Sequence, residues 1–203
     1  MNDAESPSEI RSRSPLLMSR GNSALLVIDL QERLLPHIDG AETIQWNTGR
    51  LIDGAGILGV PVHATEQYPK GLGLTVDSIR SKIAGDGGPL PEKTMFSCRE
   101  CTAMIDQLAG LGIRNLVLCG IETHVCVGQT ALDFMATGFD VFICVDAVGS
   151  RSQLDHNTAL RRLENSGAVP VTTESVLFEW CEAAGSPEFK QISKLVQQTA
   201  PAG

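Results

Sequence analysis

The sequence predicts an α/β fold in which a mainly parallel sheet is covered by helices on both faces, and three observations carry that reading. Short apolar runs recur that are too brief for helices; amphipathic stretches of about a dozen residues separate them; and the two kinds alternate along the chain. A chain of 203 residues is the size of one domain, long enough to bury a core without staples.

Taken in order, residues 1–20 are rich in Ser, Pro and charge without an apolar period and read as a loose tail. Ala24–Asp29 (ALLVID) is an apolar run bounded by polar residues, as expected of a strand buried on both faces. A helical period follows over 42–58, then a weaker strand over Val60–Thr65. The connection from Glu66 to Phe96 is too long for a plain linker. It carries Gly71, Gly73, Gly85, Gly87, Gly88, Pro69, Pro89 and Pro91, the composition of a lid beside a site.

Beyond it, helix 99–111 leads to the strand Asn115–Cys119, a turn at Gly120 and helix 124–137. Strand Asp140–Asp146, helix 154–166, strand Ala168–Thr172 and helix 174–184 complete the domain, taken as residues 21–196, with 197–203 a second tail. Crossover helices between strands imply a parallel sheet, and such sheets bind ligands outside the carboxyl ends of their strands. The polar residues expected there are Asp29, Thr65 with Glu66, the segment Glu122–Cys126, and Asp146.

Charge and composition narrow the chemistry. The formal charge is −8, from 24 acids against 16 bases with no basic run, which argues against nucleic acid and anionic membranes as partners. No stretch approaches the ~20 apolar residues of a membrane span, and no export signal is read at the N-terminus. The six cysteines then read as thiols of a cytoplasmic protein. Gly71-Leu-Gly73 is only a fragment of a dinucleotide fingerprint and does not directly follow a strand, so no nucleotide cofactor is expected.

Cys126 is the most informative residue. It follows a strand, a Gly turn and a Thr able to cap a helix, so the positive end of the helix dipole would favour its thiolate; the plainer alternative is a small buried hydrophobe. Cys119 and Cys144, inside strands, fit that alternative. Asp29, at a strand's carboxyl end, could act as a general base or merely cap the next segment. Lys93 could be a solvated surface charge, yet a cation between an Asp and a Cys favours both ionised forms.

His124 lies two residues from Cys126, which on a helix turns the side chains ~200° apart and makes it a weak base. His37, His63 and His156 show no metal-ligand spacing and read as structural. Cys98-Arg-Glu-Cys101 has the spacing of a redox pair and leaves that reading open.

The segments LLVIDLQERL, PEKTMFSC and LCGIETHVCVGQTALDFMATGFDVFICVDAVGSRS together resemble the isochorismatase-like cysteine hydrolase family over most of residues 22–195. TEQYPKGLGLT resembles its branch of isochorismatase-domain-containing proteins. The resemblance implies a Rossmann-like three-layer sandwich with six strands, a catalytic triad of Cys126, Asp29 and Lys93, and hydrolysis of a C–N bond through a thioester. True isochorismatases, which cleave a vinyl ether, lack the cysteine. It also implies backbone N–H donors from Glu122 and Cys126 for an oxyanion and a cis peptide between Ile121 and Glu122. The pocket would be walled by Gln31, Glu66, Gln67, Tyr68, Phe96, Thr123 and Val125, and the protein would be a homo-oligomer, a dimer or larger.

Nicotinamidases of the family hold a metal on an Asp and a His where this chain has Gln67 and Pro69, so neither metal nor cofactor is expected. A non-catalytic binding member of the same fold is the alternative function.

Overall fold

The computed structural model describes residues 12–83 and 89–200; Gly85, Gly87 and Gly88 of the long connection, and the outer parts of both expected tails, lie outside the described residues. The strands are β1 (Ser23–Ile28), β2 (Val62–Gln67), β3 (Glu92–Lys93), β4 (Asn115–Ile121), β5 (Asp140–Gly149) and β6 (Val169–Val171). The helices are α1 (Ala41–Leu58), α2 (Pro69–Leu72), α3 (Asp77–Ile83), α4 (Thr102–Gly110), α5 (Gly128–Ala136), α6 (Gln153–Asn165), α7 (Thr173–Cys181) and α8 (Phe189–Val196).

The six strands form one sheet in the order β3-β2-β1-β4-β5-β6, every pair parallel. Because side chains alternate along a strand, each central strand feeds two cores. Leu25 and Val27 of β1, with Val117 and Cys119 of β4, pack with Leu51, Ala55, Leu177, Trp180 and Leu195 on one face. Leu26 and Ile28, with Leu116 and Leu118, pack with Met104, Leu108, Ala131 and Phe134 on the other. At ~2 kcal/mol for each fully buried large aliphatic side chain, these two layers are the fold's main stabilisation.

The chain reverses its winding between β1 and β4, where Ile28 pairs with Thr65 of β2 on one side and Gly120 of β4 on the other. Gly120 is not the turn expected there but a strand residue. Its φ of 117° and the close approach of Ile28 leave no room for a side chain: an added Cβ would lie 2.7 Å from Ile28 N and closer still to Ile28 O. Gly120→Ala should therefore lower stability by about 3 kcal/mol or more, combining overpacking with backbone strain. Urea unfolding is the check, and a loss below about 1 kcal/mol would contradict the tight β1–β4 approach.

Other expectations are also revised. Residues 12–20 are not loose: Met18 is fully buried, its N–H donates to the Glu179 carboxylate at 2.9 Å, and Arg13 donates to Met18 O and Glu179 O. The long connection holds α2, α3 and β3. Helix 99–111 starts later, at Thr102, after a short 3-10 turn over Cys98–Glu100. β2 starts two residues later than expected, beyond Pro61, and runs on through Glu66 and Gln67 because these pair with Glu92 and Lys93. Asp146 is structural: its Oδ1 accepts from Thr173 N at 2.9 Å and Thr173 Oγ1 at 3.0 Å, fixing the start of α7. No helix among the described residues is long and apolar enough to cross a membrane.

Candidate active site

Three side chains separated by long stretches of sequence meet at the carboxyl edge of the sheet. Asp29, just past β1, adopts a left-handed backbone (φ 53°), which Asp tolerates better than most residues, and its C=O accepts from Gln31 N at 2.8 Å. That reversal ends the strand with the carboxyl group buried. Lys93 of β3 points into the same place: its Nζ donates to Asp29 Oδ2 at 2.7 Å, with both side chains fully buried. Nζ also donates to Gln67 Oε1 at 2.7 Å and Phe96 O at 2.9 Å, with Met95 O at 3.4 Å. Thr65 Oγ1 donates to the other carboxylate oxygen, Asp29 Oδ1, at 2.9 Å.

Cys126 completes the group from the far side of the β1–β4 switch. It lies in a π-helical turn, Thr123–Val127, where Val127 N donates to Glu122 O at 3.2 Å, five residues back, before α5 begins. Gly128 fits this wide turn because a Cβ there would lie 2.9 Å from Thr123 O. Cys126 is 5 % exposed, has Gln67 Oε1 4.0 Å from its Sγ, and lies close enough to the Asp29 carboxylate to be raised by its charge. The peptide between Ile121 and Glu122 is cis.

Electrostatics depart from the helix-dipole expectation. Burial, followed by the Asp29 charge, pushes the Cys126 thiol well above its ordinary value, and Lys93 only partly offsets this. The resting side chain is a neutral thiol facing a carboxylate. Burial also raises Asp29, restrained chiefly by Lys93. For Lys93, burial is the largest influence and opposes the charged form, but Asp29 together with Cys126 and Cys98 outweighs it and holds the ammonium. A carboxyl made more basic by burial, beside a thiol and clamped by a fixed cation, can take up and return a proton.

The expected pocket wall divides. Gln67 belongs to the charged cluster. Tyr68 and Phe96 are about half exposed, and a cleft of about 340 Å³ is lined by Tyr68, Pro69, Lys70, Lys93, Thr94 and Glu100 but not by Phe96, Asp29 or Cys126. Val125 is half-buried in the turn. Gln31, Glu66 and Thr123 are fully or almost fully buried and are braces, not wall. Gln31 bonds Gln67 O, Gln67 N and Gly73 O; Glu66 Oε1 accepts from Thr75 N and Arg80; and Thr123 Oγ1 pairs with His156 Nδ1 at 2.9 Å instead of capping the helix. Their polar groups are consumed within the protein because the loops they hold would otherwise leave buried backbone unpaired. A larger cleft of about 450 Å³ over α1 and α3, lined by Trp46, Arg50, Asp53 and Lys82, shares none of these residues.

Sequence reasoning missed two supports. Thr65 was seen only as polar and at a strand end. Arg151, which brackets the Glu122 carboxylate through Nε at 3.1 and 3.2 Å and through its own N–H at 3.0 Å, gave no local signal. His124 turns away to Ser150 Oγ at 3.0 Å. Cys98 is fully buried with its Sγ 3.6 Å from Thr65 Oγ1, and burial raises the Cys98 and Cys101 thiols as it does that of Cys126, so the shifts do not set the two apart from it. Among the described residues, no group of three or more His, Cys, Asp or Glu could hold a metal ion.

Comparison with known proteins agrees with this architecture. The isochorismatase domain pattern matches residues 23–175. Isochorismatase domain-containing protein 1 of Danio rerio is 41 % identical over 186 residues, covering 91 % of this chain, which spans only 64 % of that relative's length. Isochorismatase domain-containing protein 2 of the same fish is 39 % identical, with 91 % of each chain covered. Among solved structures, one described as MAR1 ribonuclease from Caenorhabditis elegans superposes with a TM-score of 0.84 at 39 % identity, covering 92 % of this chain and 95 % of its own. An octameric Escherichia coli hydrolase of unknown specificity, YcaC, shares the fold with a TM-score of 0.82 at 21 % identity, covering 91 % of this chain and 92 % of its own. With its sheet order and its matched domain, this chain belongs to the isochorismatase family, in the branch of the isochorismatase domain-containing proteins.

Proposed function

We propose that this chain is a cysteine hydrolase that cleaves the C–N bond of a small amide-like substrate through a thioester. The observation that carries the reading is the fully buried Asp29–Lys93 ion pair set against the Cys126 thiol. A buried ion pair gives little net stability compared with apolar packing, so its presence beside a nucleophile favours chemistry over architecture.

In this reading Asp29 takes the thiol proton as Cys126 Sγ attacks the carboxamide carbon. The tetrahedral oxyanion is met by the N–H groups of Glu122 and Cys126, at the head of the helical turn. Asp29 returns its proton to the leaving nitrogen, ammonia departs, and the acyl group remains on sulfur. Water, deprotonated by the same carboxylate, then attacks the thioester, and the carboxylic acid and free thiol are released. Lys93 keeps Asp29 ionised between steps and stabilises negative charge on sulfur. The steps balance without a cofactor or metal.

Tyr68 on the cleft, with the half-exposed Phe96, favours a substrate with a small apolar or planar body. An RNA phosphodiester fits poorly: Lys93 has its protons engaged by Asp29, Gln67 and Phe96, and the chain carries a charge of −8. A homo-oligomer is in keeping with Leu154 and Phe178, apolar and exposed on α6 and α7.

The test couples ammonia detection across a panel of small carboxamides, with an RNA oligomer included, to iodoacetamide labelling mapped by cysteine. The expected result is ammonia release from at least one amide, with Cys126 labelled and that labelling suppressed by the same amide. Labelling led by Cys98 would favour redox chemistry, and no labelling of Cys126 a binding protein.

A further inference from the structure

The segment Thr94–Phe96 has a polarity that the site alone does not explain. Its carbonyls all face inward to the charged cluster: Thr94 O accepts from Gln67 Nε2 at 2.8 Å, Phe96 O from Lys93 Nζ at 2.9 Å, and Met95 O lies 3.4 Å from the same Nζ. The amides of Thr94 and Met95 face the other way, onto one carboxylate. Glu100 Oε2 accepts from Thr94 N and from Met95 N, both at 2.7 Å, and Glu100 Oε1 accepts from Thr94 Oγ1 at 3.1 Å.

We propose that Glu100 is a positioning residue for the hydrolytic site, acting through this segment to hold the carbonyl cradle of Lys93 and the orientation of Gln67. The inference rests on the Cys-Asp-Lys reading above and goes beyond it, because Glu100 touches none of the three.

The argument is one of donors and acceptors. The Thr94–Met95 peptide turns its C=O inward to Gln67 and its N–H outward to Glu100, and the Lys93–Thr94 peptide before it also gives its N–H to Glu100, so the carboxylate holds the start of the segment from outside. Water could serve, but it would not fix the segment. A carboxylate taking two N–H groups on a single oxygen does, and charge-assisted bonds of this length are about twice as strong as neutral ones. The two backbone bonds, in turn, hold the Glu100 carboxyl below its ordinary value, so it is ionised throughout the neutral range.

Gln67 completes the chain of dependence. Its amide can point its oxygen at Lys93 and Cys126 only because its Nε2 is anchored on Thr94 O. Releasing the segment would therefore loosen Lys93 at the two carbonyls and Gln67 at its anchor, leaving Asp29 as the firm partner of the ammonium. The titratable groups that act on Lys93 are Asp29, Cys126 and Cys98; Glu100 feels its charge more weakly.

The experiment uses the full chain and reads iodoacetamide alkylation of Cys126 from pH 6 to 10, a measurement that needs no substrate, together with kcat and KM on any amide found to react. Glu100→Ala should slow Cys126 alkylation about threefold or more at each pH in this range, because the cation that favours the thiolate is held less firmly. It should lower kcat by about tenfold to a hundredfold, more than it changes KM although Glu100 also lines the cleft of about 340 Å³, the signature of misplaced machinery. Glu100→Gln keeps an oxygen for the two amides and should restore most of both readouts. If Glu100→Ala does not yield folded protein, Glu100→Asp, one methylene too short to reach both amides, carries the same expectation.

A wild-type alkylation profile in Glu100→Ala, or Glu100→Gln as impaired as Glu100→Ala, would overturn the proposal. Lys93→Met separates the two levels of argument. If Cys126 alkylation ignores Lys93→Met, the triad reading fails and takes this inference with it. If alkylation depends on Lys93 but ignores Glu100, only this inference fails.

Discussion

Replacing Cys126 by Ala is expected to abolish amide hydrolysis while leaving the fold intact. In the proposed mechanism the Cys126 sulfur carries the acyl group, so kcat on a reactive amide should fall by at least about a thousandfold. Stability should change by no more than about 1 kcal/mol: the deletion removes one atom, and the Asp29 carboxylate loses only a neutral partner. Mass spectrometry offers the sharper reading, since wild-type protein quenched in acid during turnover should carry the acyl group on Cys126 and the variant should carry none. A Cys126→Ala protein within roughly tenfold of wild-type turnover would sink the nucleophile assignment.

Lys93→Met should be costly in both activity and stability. Met matches the stem of Lys but leaves Asp29 fully buried without its cation, a loss of about 3–5 kcal/mol at neutral pH. The sign of the pH dependence follows from Asp29, already above its ordinary value through burial and further raised once Lys93 is gone. A carboxyl with a raised folded-state pKa loses stability as pH rises from its unfolded pKa to its folded one, so the deficit should be largest at neutral to alkaline pH and shrink in acid. Urea unfolding at several pH values measures it. A deficit independent of pH would show that Asp29 is not the group left stranded. Hydrolysis should fall together with stability, and Cys126 alkylation should shift to higher pH because the cation favouring the thiolate is absent.

Much of this was legible in the sequence because the central strands are apolar on both faces. Runs such as ALLVID and NLVLC have few alternatives to a parallel sheet under helices, and Asp29 announced itself by ending the first. The two-residue β3 could not be read from Glu92 and Lys93, since nothing so short has a period. α8 passed unnoticed although Phe189, Ile192 and Leu195 recur at helical spacing, because eight residues hold barely two turns. At the site, residue types were readable but surroundings were not. Helix-dipole reasoning expected a thiolate at Cys126, whereas burial and a neighbouring carboxylate outweigh the dipole. Gln31 and Glu66 read as pocket wall because they are polar and near strand ends, but whether a polar side chain faces a ligand or stitches a loop depends on partners such as Gly73 and Arg80 that no local pattern identifies. Thr123, too, read as wall and cap until His156 proved to be its partner.

The three principal residues are unequally tethered. Asp29 and Cys126 hang from β1 and β4, neighbours joined over six registered pairs at the centre of the sheet. Lys93 hangs from an outer strand that meets β2 over only two pairs, Glu66 with Glu92 and Gln67 with Lys93. Cooperative units open in order of local stability, and a rim strand with so little ladder opens before the centre does. If the proposed triad holds, Lys93 can leave while Cys126 and Asp29 remain in register, and the species so formed should be inactive with a native core. The temperature at which activity is lost should then fall below the temperature at which the domain melts, and the gap between them would measure the hold of β3.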